Sequence, residues 1–208
     1  MRLKHSVLLL IIIFAISMSF IGCVGTVRYP TYYALHLPPA PALQTAAQGH
    51  VSLAIREFRS PDYLRQGPLV YRASPEQIGF YDYHRWAADP REFVTSAITD
   101  RLRAGGTFAD VKVYDGRSTA DYVLSGRLEK LEEVDYEGGV KVEVALSAQV
   151  IEVRTGAQVW ADSANEMGRV DQRNVPAVVS EMSSAMDRAI NKLLLSFPTS
   201  ALASNRQR

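Results

Sequence analysis

Cysteine occurs once in the 208 residues and histidine 4 times. A single thiol excludes a disulfide framework within the chain and any thiolate-rich metal site. The scattered histidines offer little for metal chemistry. A charge excess is missing too, since 23 basic residues face 22 acidic ones for a formal net charge of +1. That balance argues against a protein that holds nucleic acid by phosphate electrostatics. Catalytic motifs are also lacking: there is no Gly-rich phosphate loop, no Gly-x-Ser-x-Gly elbow and no His-Glu-x-x-His pair. Long apolar runs are confined to the N-terminus. What remains is a globular composition, 47% hydrophobic and 22% charged, of a length that suits one domain.

The first residues have the three-part layout of a secretory signal peptide. Arg2 and Lys4 form a short basic region, residues 7–16 are an unbroken apolar run, and small and polar residues lead to Phe20-Ile21-Gly22-Cys23. That tetrapeptide resembles the lipobox of bacterial lipoproteins, with Phe20 where leucine is usual. The small Gly22 admits the peptidase, and the Cys23 thiol becomes the thioether that carries diacylglycerol. The competing reading is an uncleaved membrane helix, since the run is about long enough to span a thin bilayer. The only cysteine of the chain stands where the lipobox needs it, and this favours lipidation at Cys23. Cleavage would remove residues 1–22 with Arg2 and Lys4, leaving 21 basic residues against 22 acidic ones. In a cell with two membranes, Val24 is not the aspartate that retains lipoproteins at the inner membrane. The expected location is therefore the outer membrane, facing the periplasm.

Residues 23–49 read as a lipidated tether, a first strand at 32–37 and a proline- and small-residue linker. Residues 50–198 read as one folded domain and 199–208 as a mobile polar tail. Strand patterns fall at 51–56, 69–73 and 77–86, with a turn at Ser74-Pro75. Asp89-Pro90-Arg91-Glu92 announces a helix, with Asp89 as N-cap and Glu92 completing a capping box. Its apolar stripe is Val94, Ala97, Ile98 and Leu102, and Gly105-Gly106 ends it. Alternation then marks strands around 111–113, 122–128, 142–150 and 157–167, with Arg154-Thr155-Gly156 as a hairpin loop. A last helix over 174–197 carries Val178, Met182, Ala185, Ala189 and Leu193 on one stripe. The order predicts an α+β fold: a mixed, mostly antiparallel sheet with two amphipathic helices packed on one face.

Candidate sites are few. Asp82 and His84 could pair as an acid and a base, yet no nucleophile stands near them in sequence, and an aromatic strand is the better reading. The acidic run at 129–133 lacks the glycine-punctuated loop of a cation site and reads as the solvated end of a strand. Met182 and Met186 read as core rather than a lipid groove. Tyrosines 63, 71, 81 and 83 lie close to arginines 65, 72 and 85, the composition of a protein contact surface. Within residues 61–86 the leading contact candidates are Tyr63, Arg72 and Trp86. Trp86, just before the capped helix, has a core reading as its alternative.

Taken in order, these pieces resemble the ABC-type transport auxiliary lipoproteins, the family of paraquat-inducible protein C-like lipoproteins. The resemblance begins at Tyr32-Tyr33-Ala34-Leu35. It runs through Pro61-Asp62-Tyr63-Leu64, Leu69-Val70-Tyr71-Arg72 and His84-Arg85-Trp86-Ala87. It continues in Ala120-Asp121-Tyr122-Val123-Leu124-Ser125-Gly126, Thr155-Gly156 and Trp160, and closes with the last helix. It implies a non-enzymatic subunit without cofactor or metal, anchored in the outer membrane by its N-terminal lipid. The implied partners are a mammalian-cell-entry (MCE) domain protein and, through it, an ABC permease and ATPase that move lipids. The implied fold is that of the N-terminal domain of periplasmic TolB-type proteins. Assembly of several copies is left open. The alternative function is a stand-alone envelope lipoprotein that binds peptidoglycan or assists outer-membrane assembly.

Cys23→Ala is expected to leave an unlipidated precursor that no longer fractionates with the outer membrane. Metabolic labelling with a radioactive fatty acid checks this, and equal label in mutant and wild type would overturn it.

Overall fold

A computed structural model describes residues 28–39, 50–117, 119–136, 138–199 and 202. The expected signal peptide, Cys23 and most of the linker and tail lie outside these residues.

Eight strands and two helices are described: β1 (Thr31–Tyr33), β2 (Ser52–Ile55), β3 (Pro68–Ser74), β4 (Gln77–Trp86), α1 (Pro90–Ala104), β5 (Asp110–Val113), β6 (Tyr122–Val134), β7 (Lys141–Glu152), β8 (Gln158–Arg169) and α2 (Val175–Leu195). The long ladders, β6–β7, β7–β8 and β3–β4, are antiparallel. The short ones, β1–β4, β2–β5, β2–β6 and β3–β6, are parallel. The predicted α+β class and mixed sheet are therefore the observed ones.

The centre is β6. One edge pairs with β7 along its whole length. The other edge is shared: β2 takes residues 122–124, and β3 takes only Glu133 and Val134. Between these two pairings residues 56–67 run beside β6. Arg56 N donates to Leu124 O (2.8 Å), and Arg59 N to Gly126 O (3.0 Å). The sheet thus branches, with β2–β5 at one end of β6 and β3–β4–β1 at the other.

Alternation along β7 sends Val142, Val144, Leu146 and Val150 to one face, each at most 1% exposed. There they meet the α2 stripe, where Met182, Ala185, Met186, Ala189 and Ile190 are fully buried. Each buried valine, leucine, isoleucine or methionine here contributes about 1.5–3 kcal/mol of burial. Helix α1 lies on the same face through Val94, Ile98 and Leu102. Its Arg101 guanidinium pairs with Asp187 and donates to Asn191 Oδ1 (2.8 Å), which ties α1 to α2. After β1, residues 34–39 cross the outer side of the helices. Leu35 is buried there, and His36 N donates to Ser183 Oγ (3.2 Å).

Local signals explain most boundaries. Asp89 caps α1, but its carboxylate accepts from Arg91 N (2.9 Å) and from the Arg91 guanidinium, not in the expected capping-box pattern with Glu92. Burial alone would raise the Asp89 carboxyl; the Arg91 hydrogen bonds more than offset this and hold it below the usual range. Asn174 caps α2 by accepting from Ala177 N (2.9 Å). Gly156 takes φ +73° in the β7–β8 hairpin loop.

The first strand is shorter than expected, three residues rather than six. Beyond Tyr33 the backbone leaves β4 to pass over the helices. A second difference concerns the acidic run, which does not end in solvent. Strand β6 continues through it, and Glu132 and Glu133 are 0% and 6% exposed. The β3–β4 unit covers this end of β6, a long-range contact that local polarity does not announce.

Gly126 leaves no room for a side chain in the core. A Cβ there would stand 2.3 Å from the Phe58 ring, and Phe58 is fully buried. Gly126→Ala should destabilise the domain by about 1–3 kcal/mol through overpacking. Denaturant unfolding checks this, with Phe58→Leu in the same chain expected to restore part of the loss.

Candidate functional site

With both helices on one face, the opposite face of β6–β7–β8 has no layer over it. Register decides what it presents. Ser125 lies opposite Gln149, which lies opposite Ala161; Arg127 lies opposite Ser147, which lies opposite Ser163. The floor is therefore mostly small and polar, an arrangement that lets an extended chain approach closely. A groove of about 1090 Å³ opens over it, walled by Arg56 and Arg59 from the segment after β2 and by Tyr114 after β5. The Arg56 guanidinium stacks on the Tyr114 ring, 5.0 Å from its centroid. Arg127 Nε donates to Glu129 Oε2 (2.8 Å), and Ser147 donates to the other oxygen of that carboxylate (2.8 Å). Among the described residues, neither Arg56 nor Arg59 has a carboxylate partner. The groove thus presents the Arg56 and Arg59 guanidiniums above hydroxyl and amide groups, with Glu57 and Asp162 also in its lining.

Further along the same face, Glu132 and Glu143 lie directly opposite one another in the ladder. Two carboxylates so placed repel, and each has its own cation. Arg72 grips Glu132 with two bonds, Nε at 2.7 Å and Nη2 at 3.0 Å. Lys130 Nζ reaches both oxygens of Glu143 at 2.9 and 3.0 Å, and Asn165 Nδ2 donates to it at 2.9 Å. Tyr63, half-buried in a short 3-10 turn at Asp62–Arg65, stands beside this cluster. Burial, then the Glu132 carboxylate, raise its phenol above the usual range.

On the helix side, Tyr81 donates to Glu133 Oε2 (2.7 Å). Burial raises the Tyr81 phenol, and the bond to Glu133 raises it further, so it stays a donor. Burial also raises the Glu133 carboxyl, against the lowering effect of the Tyr81 hydrogen bond.

The structure therefore brings Tyr63 and Arg72 together around Glu132 but separates them from Trp86. The Trp86 side chain is 6% exposed, belongs to the core, and has an Nε1 without a hydrogen-bond partner among the described residues. As a core residue it has no surface to offer a partner. Parallel pairing with Tyr33 and the start of α1 turn it inward. His84 has the Tyr33 hydroxyl at 3.1 Å from its Nδ1, while Asp82 is exposed. Arg56, Arg59, Tyr114 and Arg127 were not singled out by the sequence. Its only hint was the run of small polar residues alternating with the apolar face of β6 and β7.

Residues 33–193 match the family model described as ABC-type transport auxiliary lipoprotein component. The chain belongs to this family. Its members are non-catalytic, lipid-anchored periplasmic lipoproteins of the outer membrane, associated with ABC-type transport systems. No curated protein matches the chain significantly. The fold is similar to the crystal structure of a Xanthomonas campestris protein, at 14% identity and a TM-score of 0.71, covering 83% of this chain and 97% of that one. It is also similar to the crystal structure of an uncharacterized protein, at 15% identity and a TM-score of 0.60, covering 79% and 96%. Among the described residues no helix is long and apolar enough to cross a membrane, and no group of His, Cys, Asp and Glu is placed to hold a metal ion.

The Glu132 side chain is 0% exposed and that of Arg72 15%. Arg72→Ala would leave a buried carboxylate without its cation, at a cost of about 3–5 kcal/mol. A fall of this size in unfolding free energy is expected for Arg72→Ala, with much of it recovered in Arg72→Ala/Glu132→Gln. Wild-type stability of the single variant would contradict the pairing.

Proposed function

We propose that this protein is the outer-membrane adaptor of an ABC/MCE-type lipid transport system, and that it docks the MCE-domain protein where that protein reaches the outer membrane. In this reading residues 1–22 are removed, Cys23 carries the lipid, residues 23–49 are the tether, and residues 50–198 are the docking domain.

The observation that carries the reading is the uncovered sheet face with its arginine-walled groove. The sheet buries one side against helices and leaves the other open, with a broad groove over it. Small floor residues admit a backbone, and Arg56 and Arg59 supply charge-assisted donors to carboxylates or carbonyls of an arriving segment. The Tyr63–Arg72 cluster borders the same face and keeps its end of the sheet rigid, so the docking surface is preformed. The alternative of a peptidoglycan or assembly factor would use other partners on this surface.

The experiment is capture of an MCE-domain protein from the same organism by the full-length lipoprotein in detergent. Charge reversal at Arg56→Glu/Arg59→Glu should weaken capture roughly tenfold or more, equivalent to about 1.4 kcal/mol, with melting unchanged. No capture by wild type would remove the adaptor reading, and undiminished capture by the double variant would move the contact off this groove.

A further inference from the structure

A second surface lies at the opposite end of β6. We propose that the β1–β4 corner, through Arg28, Tyr29, Tyr32 and Tyr83, rests on the headgroup layer of the membrane and so fixes how the domain stands on it. The proposal rests on the membrane attachment of the N-terminus.

The corner gathers large side chains that the core does not use. Tyr29 is 79% exposed, Tyr32 60% and Tyr83 39%. The Arg28 guanidinium lies 4.6 Å over the Tyr83 ring. Tyr32 is in register with Arg85 on β4, so the two point to the same side. Alternation puts Tyr83 on that side as well, while Tyr33, His84 and Trp86 point inward. The result is one patch of tyrosine and arginine at the edge of the sheet.

The occupant follows from the length of chain that precedes it. Only residues 24–27 separate Cys23 from Arg28. Five peptide steps, fully extended at about 3.3–3.6 Å each, reach roughly 17 Å. A lipid on Cys23 therefore keeps Arg28, where the corner begins, within about 17 Å of the membrane surface. Tyrosine places an apolar ring and a polar hydroxyl at such an interface, and arginine donates to lipid phosphate. The groove is held away from it. The groove floor lies at residues 125–127 of β6 and β3 joins β6 at Glu133, six residues or about 20 Å further along at roughly 3.3 Å per residue, with β3 and β4 between β6 and the corner. A domain seated on the tyrosine corner directs its groove into the periplasm.

The test reads depth along the molecule. The full-length protein is placed in vesicles of phosphatidylethanolamine with about one-third phosphatidylglycerol and a headgroup spin-labelled lipid. Tryptophan is introduced at Tyr32 or, as the distant control, at Tyr114, and the wild-type signal of Trp86 and Trp160 is subtracted. Quenching at position 32 should exceed that at 114 at least twofold. Arg28→Glu/Tyr29→Ser/Tyr83→Ser in the same protein should level the two while leaving melting unchanged. Equal quenching in the parent, or stronger quenching at 114, overturns the proposal. So does a dimer, seen by light scattering in detergent, that the triple variant abolishes, because a second copy would then be the occupant. Mass spectrometry of the N-terminus decides separately whether Cys23 is acylated. If the N-terminal segment proves to be an uncleaved anchor, the quenching comparison still decides the orientation.

Discussion

The β1–β4–β3 unit is joined to the rest of the sheet by a parallel ladder of two register pairs, by the buried Arg72–Glu132 ion pair and by the Tyr81–Glu133 hydrogen bond. So short a ladder fixes register weakly, since few backbone bonds distinguish it from a slipped one. The ion pair supplies the missing definition. A guanidinium with two bonds to one carboxylate tolerates little displacement, and a slip along β6 would strand a buried charge. Both surfaces described above depend on this joint. It holds the tyrosine corner at one end of β6 while the groove stays at the other.

The energetic logic divides along the two faces of the sheet. The helix face is apolar and close-packed, and at Gly126 the Phe58 ring fills the space a side chain would need. The other face is a ladder of ion pairs and hydroxyls. Such pairs add little net stability in place of apolar packing, yet breaking one is costly. They give a stiff polar surface whose groups are already oriented, which suits docking better than an apolar face that would bind indiscriminately. The proline-flanked start of α1 and the Arg91-gripped Asp89 cap anchor the helix layer independently of this face.

The sequence by itself determined the helix and strand periods, the Asp89 cap, the hairpin turn and the α+β class, because these rest on neighbours within a few residues. Alternation in β7 and the stripe of α2 were enough to name the core. The order of short motifs along the chain was enough to reach the family. Only the tertiary structure decided that β2 and β3 share one edge of β6, because pairing between distant segments is set by global packing. It likewise decided that Glu132 is buried against Arg72, that Trp86 turns inward, and that Arg56, Arg59 and Tyr114 converge on one groove. Those side chains come from segments far apart in sequence, and a polar residue looks the same in sequence whether it meets solvent or another segment of the chain.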